Sequence, residues 1–194
     1  MSTTALAIEA LDALAGAGVS VADAAASVPD GPGLYAIRGP AAAWRALRLG
    51  DPPDARPLYV GKAEDSLVTR DVRTHFGTGR TGHSTLRRTV GALLAHDLQL
   101  VAQPRNPARP GHFSSYAYEP DGDARITTWM LANLRLATWS PASPAVLDEV
   151  ETEVLLALLP PLNIAKVRTP WRADISAARK RMADAARRWT PPQP

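Results

Sequence analysis

The chain of 194 residues contains no cysteine. That absence removes disulfides, thiolate metal sites and cysteine nucleophiles together, and it suits a reducing cytoplasm. No apolar run approaches the roughly 18 residues needed to cross a bilayer, so no membrane partner is expected. The alanine-rich N-terminal stretch lacks a basic leading segment and is interrupted by Glu9 and Asp12. It reads as an amphipathic helix rather than a signal peptide. What is present, 45% hydrophobic and 21% charged residues, is the composition of a chain that folds rather than of a disordered tail. The length suits one well-buried domain with terminal additions.

A net charge of +3 conceals an uneven distribution. Residues 1–55 carry Glu9, Asp12, Asp23, Asp30, Asp51 and Asp54 against Arg38, Arg45 and Arg48. The middle and the tail are rich in arginine and lysine. A basic face suits a polyanionic partner, although arginines that merely solvate helix surfaces would give the same count.

Residues 3–15 and 20–27 read as two short helices. A Gly/Pro turn at 30–33 leads into a strand over 34–38, and a Gly/Pro-rich connection leads to a second strand at 57–61, most economically paired with the first. Over 66–76, Val68, Val72 and Phe76 share a helical face, and Ser84 is placed to cap a further helix with Leu86, Val90, Leu93 and Leu94 facing inward. Strands are expected at 98–102 and 134–139, with a proline-rich loop over 102–115. Ser143-Pro144 starts a helix that ends before Pro160-Pro161, and 173–189 reads as a basic amphipathic helix.

The helix beginning at Pro144 is the most informative segment. At 100° per residue, Leu147, Val150, Val154 and Leu158 form one stripe, and Glu151 projects into its middle while Glu149 and Glu153 point away. A carboxylate on an apolar face is costly unless it is paired or binds a cation. Glu151 therefore either snorkels from the edge, pairs with a nearby arginine, or is a metal ligand at the floor of a site. Tyr35 and Tyr59 each stand near a glycine on an expected strand, which alone is ordinary strand composition. Their conjunction with Lys62, with Arg and His on the following helix and with Asn163 just past two prolines is harder to dismiss.

The ordered pattern Gly33-Leu34-Tyr35, Tyr59-Val60-Gly61-Lys62, a helix with Arg70 and His75-Phe76, then Glu151 twelve positions before Asn163 resembles the GIY-YIG nuclease superfamily over about residues 32–166. The long spacer at about 39–56 is similar to that of its restriction-endonuclease members. The resemblance implies an α+β fold, a small three-stranded antiparallel sheet flanked by helices, with N-terminal helices and a basic C-terminal helix added. The corresponding division is an N-terminal extension (1–30), a catalytic domain (31–168) and a basic helix and tail (169–194).

It also implies a divalent-metal-dependent endonuclease acting on phosphodiester bonds, in double-stranded DNA or alternatively RNA, with Mg²⁺ or Mn²⁺ held by Glu151. Tyr35 and Tyr59 would position or deprotonate the attacking water, aided by Lys62 or His75. Arg70 would neutralise phosphoryl charge, and Asn163 would brace the site. Arg70 and His75 stand one residue further apart than the usual spacing, which keeps Arg73 as an alternative to Arg70. Arg73, Arg80, Arg87 and Arg88 are candidate nucleic-acid contacts. Double-strand cutting would favour a homodimer. The rival reading is a nuclease fold that binds nucleic acid without cutting it. Gly77-Thr78-Gly79-Arg80-Thr81-Gly82-His83-Ser84 nearly matches a phosphate-binding loop, but His83 replaces the lysine and a helix precedes it, which argues against nucleotide hydrolysis.

Overall fold

The computed structural model describes residues 2–106, 108–109 and 111–191; the side chains of residues 25–26 and 69–72 fall outside that description. Its centre is strand β2 (Gly33–Arg38), flanked by antiparallel β3 (Tyr59–Ala63) on one side and β6 (Arg135–Trp139) on the other. A two-residue strand, β1 (Val19–Ser20), pairs with β6 and makes a fourth member of the sheet. The sequence pattern points to the three central strands; the fourth is too short to leave a pattern.

Side chains alternate across a strand, so β2 feeds two cores. Leu34 and Ala36, with Val60 and Ala137, form one core under helices α1 (Thr3–Ala15) and α6 (Leu147–Leu158), which supply Ala7, Ala10, Leu14, Val150 and Val154. Tyr35 and Ile37 face the other core. Helices α2 (Val21–Ser27), α4 (Thr85–Leu93), α5 (Pro120–Asn133) and α7 (Arg172–Arg188) cover that side. Fully burying one Leu or Val contributes about 1.5–3 kcal/mol, so α1 and α7 are bound into the cores rather than appended to them.

Several starts and stops follow from local chemistry. Ser20 and Ser84 accept backbone N–H bonds at the starts of α2 and α4. Ser143 is extended but makes no cap bond; the helix opens instead with a 3₁₀ turn, Pro144–Val146, and Asp148 and Glu149 meet the positive end of α6. Leu159, at φ 44°, ends α6 in the left-handed region, and the two prolines that follow prevent continuation. Residues 98–101 do not form the strand expected there. That pairing begins at β4 (Ala102–Gln103), against β5 (Ala117–Tyr118), because residues 94–100 close instead in turns with Leu98 N–H on Leu94 O and Leu100 N–H on Ala95 O. The segment Val68–His75 is a π-helix rather than an α-helix.

The insertion between the tyrosine strands carries α3 (Ala41–Ala46). Trp44 from α3 meets the edge of Trp171 at 5.8 Å, and the Trp171 indole N–H donates to Leu49 O at 2.8 Å. Trp171 is thus an anchor of the fold. Among the described residues no helix is long and apolar enough to cross a membrane.

Candidate active site

The two glycines of the tyrosine motifs are steric requirements. A Cβ on Gly33 would lie 2.3 Å from the carbonyl oxygen of Trp139, and one on Gly61 would lie 2.3 Å from the Tyr35 hydroxyl oxygen. Tyr35 and Gly61 are register partners, so the phenol lies across the bare glycine and reaches beyond β3. There Tyr35 Oη meets His75 Nε2 at 2.6 Å, and His75 Nδ1 meets Ser84 Oγ at 2.7 Å. All three side chains are fully buried. Tyr59, half-buried, completes a cluster of three rings, with centroids 6.1 Å from Tyr35 and 6.2 Å from His75.

This ring wall is tied into α5 by a buried ion pair. Arg87 Nη2 donates to Asp123 Oδ2 at 2.8 Å, and Arg87 Nη1 donates to His75 O at 3.2 Å. Asp123 also accepts from Gly79 N–H and the Thr81 hydroxyl. Arg87 was a candidate phosphate contact on its sequence position, and the structure corrects this. Its side chain is 0% exposed and its guanidinium is committed to Asp123, Thr81, Thr127 and His75. Burial pushes its pKa down and Asp123 opposes that shift.

Across Tyr59 the second wall carries one buried carboxylate beside two cations. A cavity of about 180 Å³ is lined by Tyr59, Thr85, Glu151, Asn163, Lys166 and Arg179. Glu151 is 4% exposed, and its Oε2 accepts from Lys166 Nζ at 2.5 Å. Its neighbours Glu149 and Glu153 are exposed and half-buried. Asn163 closes the edge of β3 as a strand would, its Oδ1 accepting from Val60 N–H at 2.9 Å and its Nδ2 donating to Val60 O at 2.6 Å. A larger cavity of about 660 Å³ lies between α4 and α7, lined by Leu49, Leu93, Ile175 and Met182 together with Arg48, His96, Asp174 and Arg181, but none of the tyrosines, His75, Glu151 or Asn163 lines it.

The remaining candidates scatter. Lys62 points to the opposite face of β3 from Tyr59, where Glu64 (2.8 Å) and Asp148 bind its ammonium and hold its pKa above the usual lysine value. It therefore does not join the tyrosines, and Tyr35 instead meets His75. Arg73 and Arg80 are exposed, and Arg88 is half-buried. The Arg70 side chain lies outside the described residues. Sequence reasoning missed Lys166, three residues after Asn163, and Arg179, which reaches the cleft only because α7 docks on α4. It found Ser84 as a cap but not as a partner of His75.

Among the described residues no group of three or more His, Cys, Asp or Glu is placed to hold an ion. A structural zinc site needs about four such ligands, whereas Mg²⁺ commonly takes one or two carboxylates and completes its shell with water and substrate phosphate. A single buried carboxylate facing an open cleft fits the second kind.

The model of the GIY-YIG catalytic domain matches residues 51–181, well over half of the chain. The match takes in Tyr59, His75, Glu151 and Asn163 and begins after β2 and Tyr35. No curated protein and no solved structure matches the chain. The antiparallel sheet, the clustered tyrosines and this match together identify the chain as a member of the GIY-YIG family, a nuclease that hydrolyses phosphodiester bonds.

Proposed function

We propose that the chain is an endonuclease that cuts double-stranded DNA with the help of one bound Mg²⁺ or Mn²⁺ ion, in the cytoplasm. The observation that carries this reading is the position of Tyr59: it lines the cavity that also holds the buried Glu151 carboxylate, and its ring packs against the buried, hydrogen-bonded Tyr35–His75 pair behind it.

Glu151 would hold the ion, which supplies polarisation of the scissile phosphate and neutralises charge at the leaving oxygen. The chain's own residues handle the proton. A free phenol with a pKa near 10 is a poor base at neutral pH. If His75 keeps its proton on Nδ1, towards Ser84 Oγ, then Nε2 accepts the Tyr35 hydroxyl proton as Tyr35 Oη takes one from the attacking water. Tyr59, reaching the open cavity, orients the phosphate or the water. Asn163 keeps the edge of β3 closed so that Tyr59 cannot drift. A π-helix closes hydrogen bonds between residues five apart, so its backbone brings position 70 to the turn before His75. That supports Arg70 over Arg73 as the arginine that stabilises phosphoryl charge. Arg73, Arg80 and Arg88 remain candidate contacts to the nucleic-acid backbone. One cleft cuts one strand, so a double-strand break requires a second copy.

One observation favours a second reading. The Lys166 ammonium already neutralises Glu151, as it would in a chain that binds nucleic acid without cutting it. Supercoiled plasmid and structured RNA incubated with Mg²⁺ or Mn²⁺ separate the two. Nicking of the plasmid supports the endonuclease; binding without cleavage under either metal supports the module, and cleavage of RNA alone overturns the DNA assignment.

A further inference from the structure

Arg88, Arg105 and Arg179 come together beside the cleft from three separate segments. Arg88 Nη1 donates to Gly82 O at 2.9 Å and Arg88 Nη2 donates to Thr85 Oγ1 at 3.2 Å. Arg105 lies over the same glycine, where an added Cβ would be 2.4 Å from its Cγ. Arg179 shares the lining of the catalytic cavity with Thr85. Among the described residues none of the three has a carboxylate partner within salt-bridge distance, and Arg105 Nη2 donates instead to His112 Nδ1 at 2.8 Å. Arg88 Nε is also buried with no hydrogen-bond partner.

The groups that meet these guanidiniums are neutral acceptors rather than carboxylates. Arg88 is pushed below its ordinary pKa by burial first, then by the charges of Arg179 and Arg105. The adjacent phenol of Tyr116, which donates to Arg88 O at 2.9 Å, is pushed up to about 12 by burial and so stays neutral. Three guanidiniums held together without an anion are costly, and a bound anion would relieve that cost through charge-assisted hydrogen bonds.

We propose that Arg88, Arg105 and Arg179 form a phosphate-binding site that grips the nucleic-acid backbone beside the scissile position and so sets the direction in which the strand crosses the cleft. The proposal rests on the nuclease reading, and it gives α7 a role in substrate binding through Arg179. Arginines suit this task because the planar fork matches two phosphate oxygens. The contact is to the backbone, so it adds affinity without base preference.

The test measures binding and cleavage of a labelled duplex oligonucleotide across a salt series by the full chain and by Arg105→Gln and Arg179→Gln, with inorganic phosphate titrated as a separate arm. Each substitution is expected to weaken duplex binding about tenfold and to lower the salt slope by about one. For Arg105→Gln, which lies outside the catalytic cavity, single-turnover cleavage at saturating enzyme should change less than about threefold. A neutral methylphosphonate at the gripped position should weaken wild-type binding and leave the variants unaffected. Variants that bind with wild-type affinity and salt slope, while the wild type binds and cuts, overturn the arginine site alone. Loss of inorganic phosphate binding with unchanged duplex binding overturns its assignment to the strand. A wild-type chain that neither binds nor cuts nucleic acid overturns the nuclease reading, and this proposal with it.

Discussion

The ring wall beside the cleft (Tyr35, Tyr59 and His75) and its carboxylate wall (Glu151, Asn163 and Lys166) are held by different means. On the ring wall Tyr35, His75 and Ser84 are fully buried, bonded in sequence and tied to α5 through Arg87 and Asp123. On the carboxylate wall Glu151 is buried, but its recorded partner Lys166 is a long side chain left 53% exposed. The ring side is therefore fixed by packing before substrate arrives, whereas the cation beside Glu151 sits on a long, half-exposed side chain. The exposed ammonium can move aside only as another cation takes its place, because the buried carboxylate left alone would be costly.

Breaking the ring wall should have the largest effect. His75→Ala removes the acceptor for the Tyr35 proton and is expected to lower single-turnover cleavage by about 10²–10⁴-fold, the range for a general acid–base group, with duplex affinity retained. A loss below tenfold would mean that His75 only packs against the tyrosines. The support behind that wall comes next. Arg87→Met leaves Asp123 buried without its cation and should cost about 3–5 kcal/mol in denaturant unfolding. A cost under about 1 kcal/mol would contradict the claim that this pair holds the wall.

The carboxylate wall should respond gently and in the opposite sense. Lys166→Met frees Glu151, so Mn²⁺ measured by calorimetry should bind up to about fivefold more tightly, the equivalent of about 1 kcal/mol. Weaker binding would show that Lys166 assists the ion rather than standing in for it. The smallest effect lies outside both walls and checks that the arginine segment is intact. The Tyr116 phenol has a folded pKa of about 12 against an ordinary 10.0, so its contribution is fully present below about pH 10 and lost as pH rises towards 12. Tyr116→Phe should flatten part of that alkaline loss in a thermal-melt series, while costing about 1 kcal/mol at neutral pH through the lost bond to Arg88 O. An unchanged alkaline slope would contradict the pKa shift.

The parts readable from sequence were those with a period or a fixed spacing. Helical phase selected Glu151 over Glu149 and Glu153 without any motif, and alternation with flanking glycines marked β2 and β3. Arg87 was misread because adjacent arginines on one helix look alike. Arg87 is fully buried against Asp123, thirty-six residues away, while Arg88 is half-buried and bonds to Gly82 and Thr85. No local rule separates them. Lys166 and Arg179 were missed for a similar reason: each enters the cleft through the docking of a loop or a helix, and that docking leaves no periodic trace. The extra residue between Arg70 and His75, a departure from the family pattern, falls within the π-helix over Val68–His75.

The most direct test of the account is a crystal of the full chain soaked in Mn²⁺ and measured for anomalous scattering. The account predicts one peak at the Glu151 carboxylate, facing Tyr59 across the cleft, with Lys166 displaced and the Tyr35–His75 bond unchanged. Absence of a peak there, with Lys166 still seated on Glu151 at saturating Mn²⁺, would contradict it.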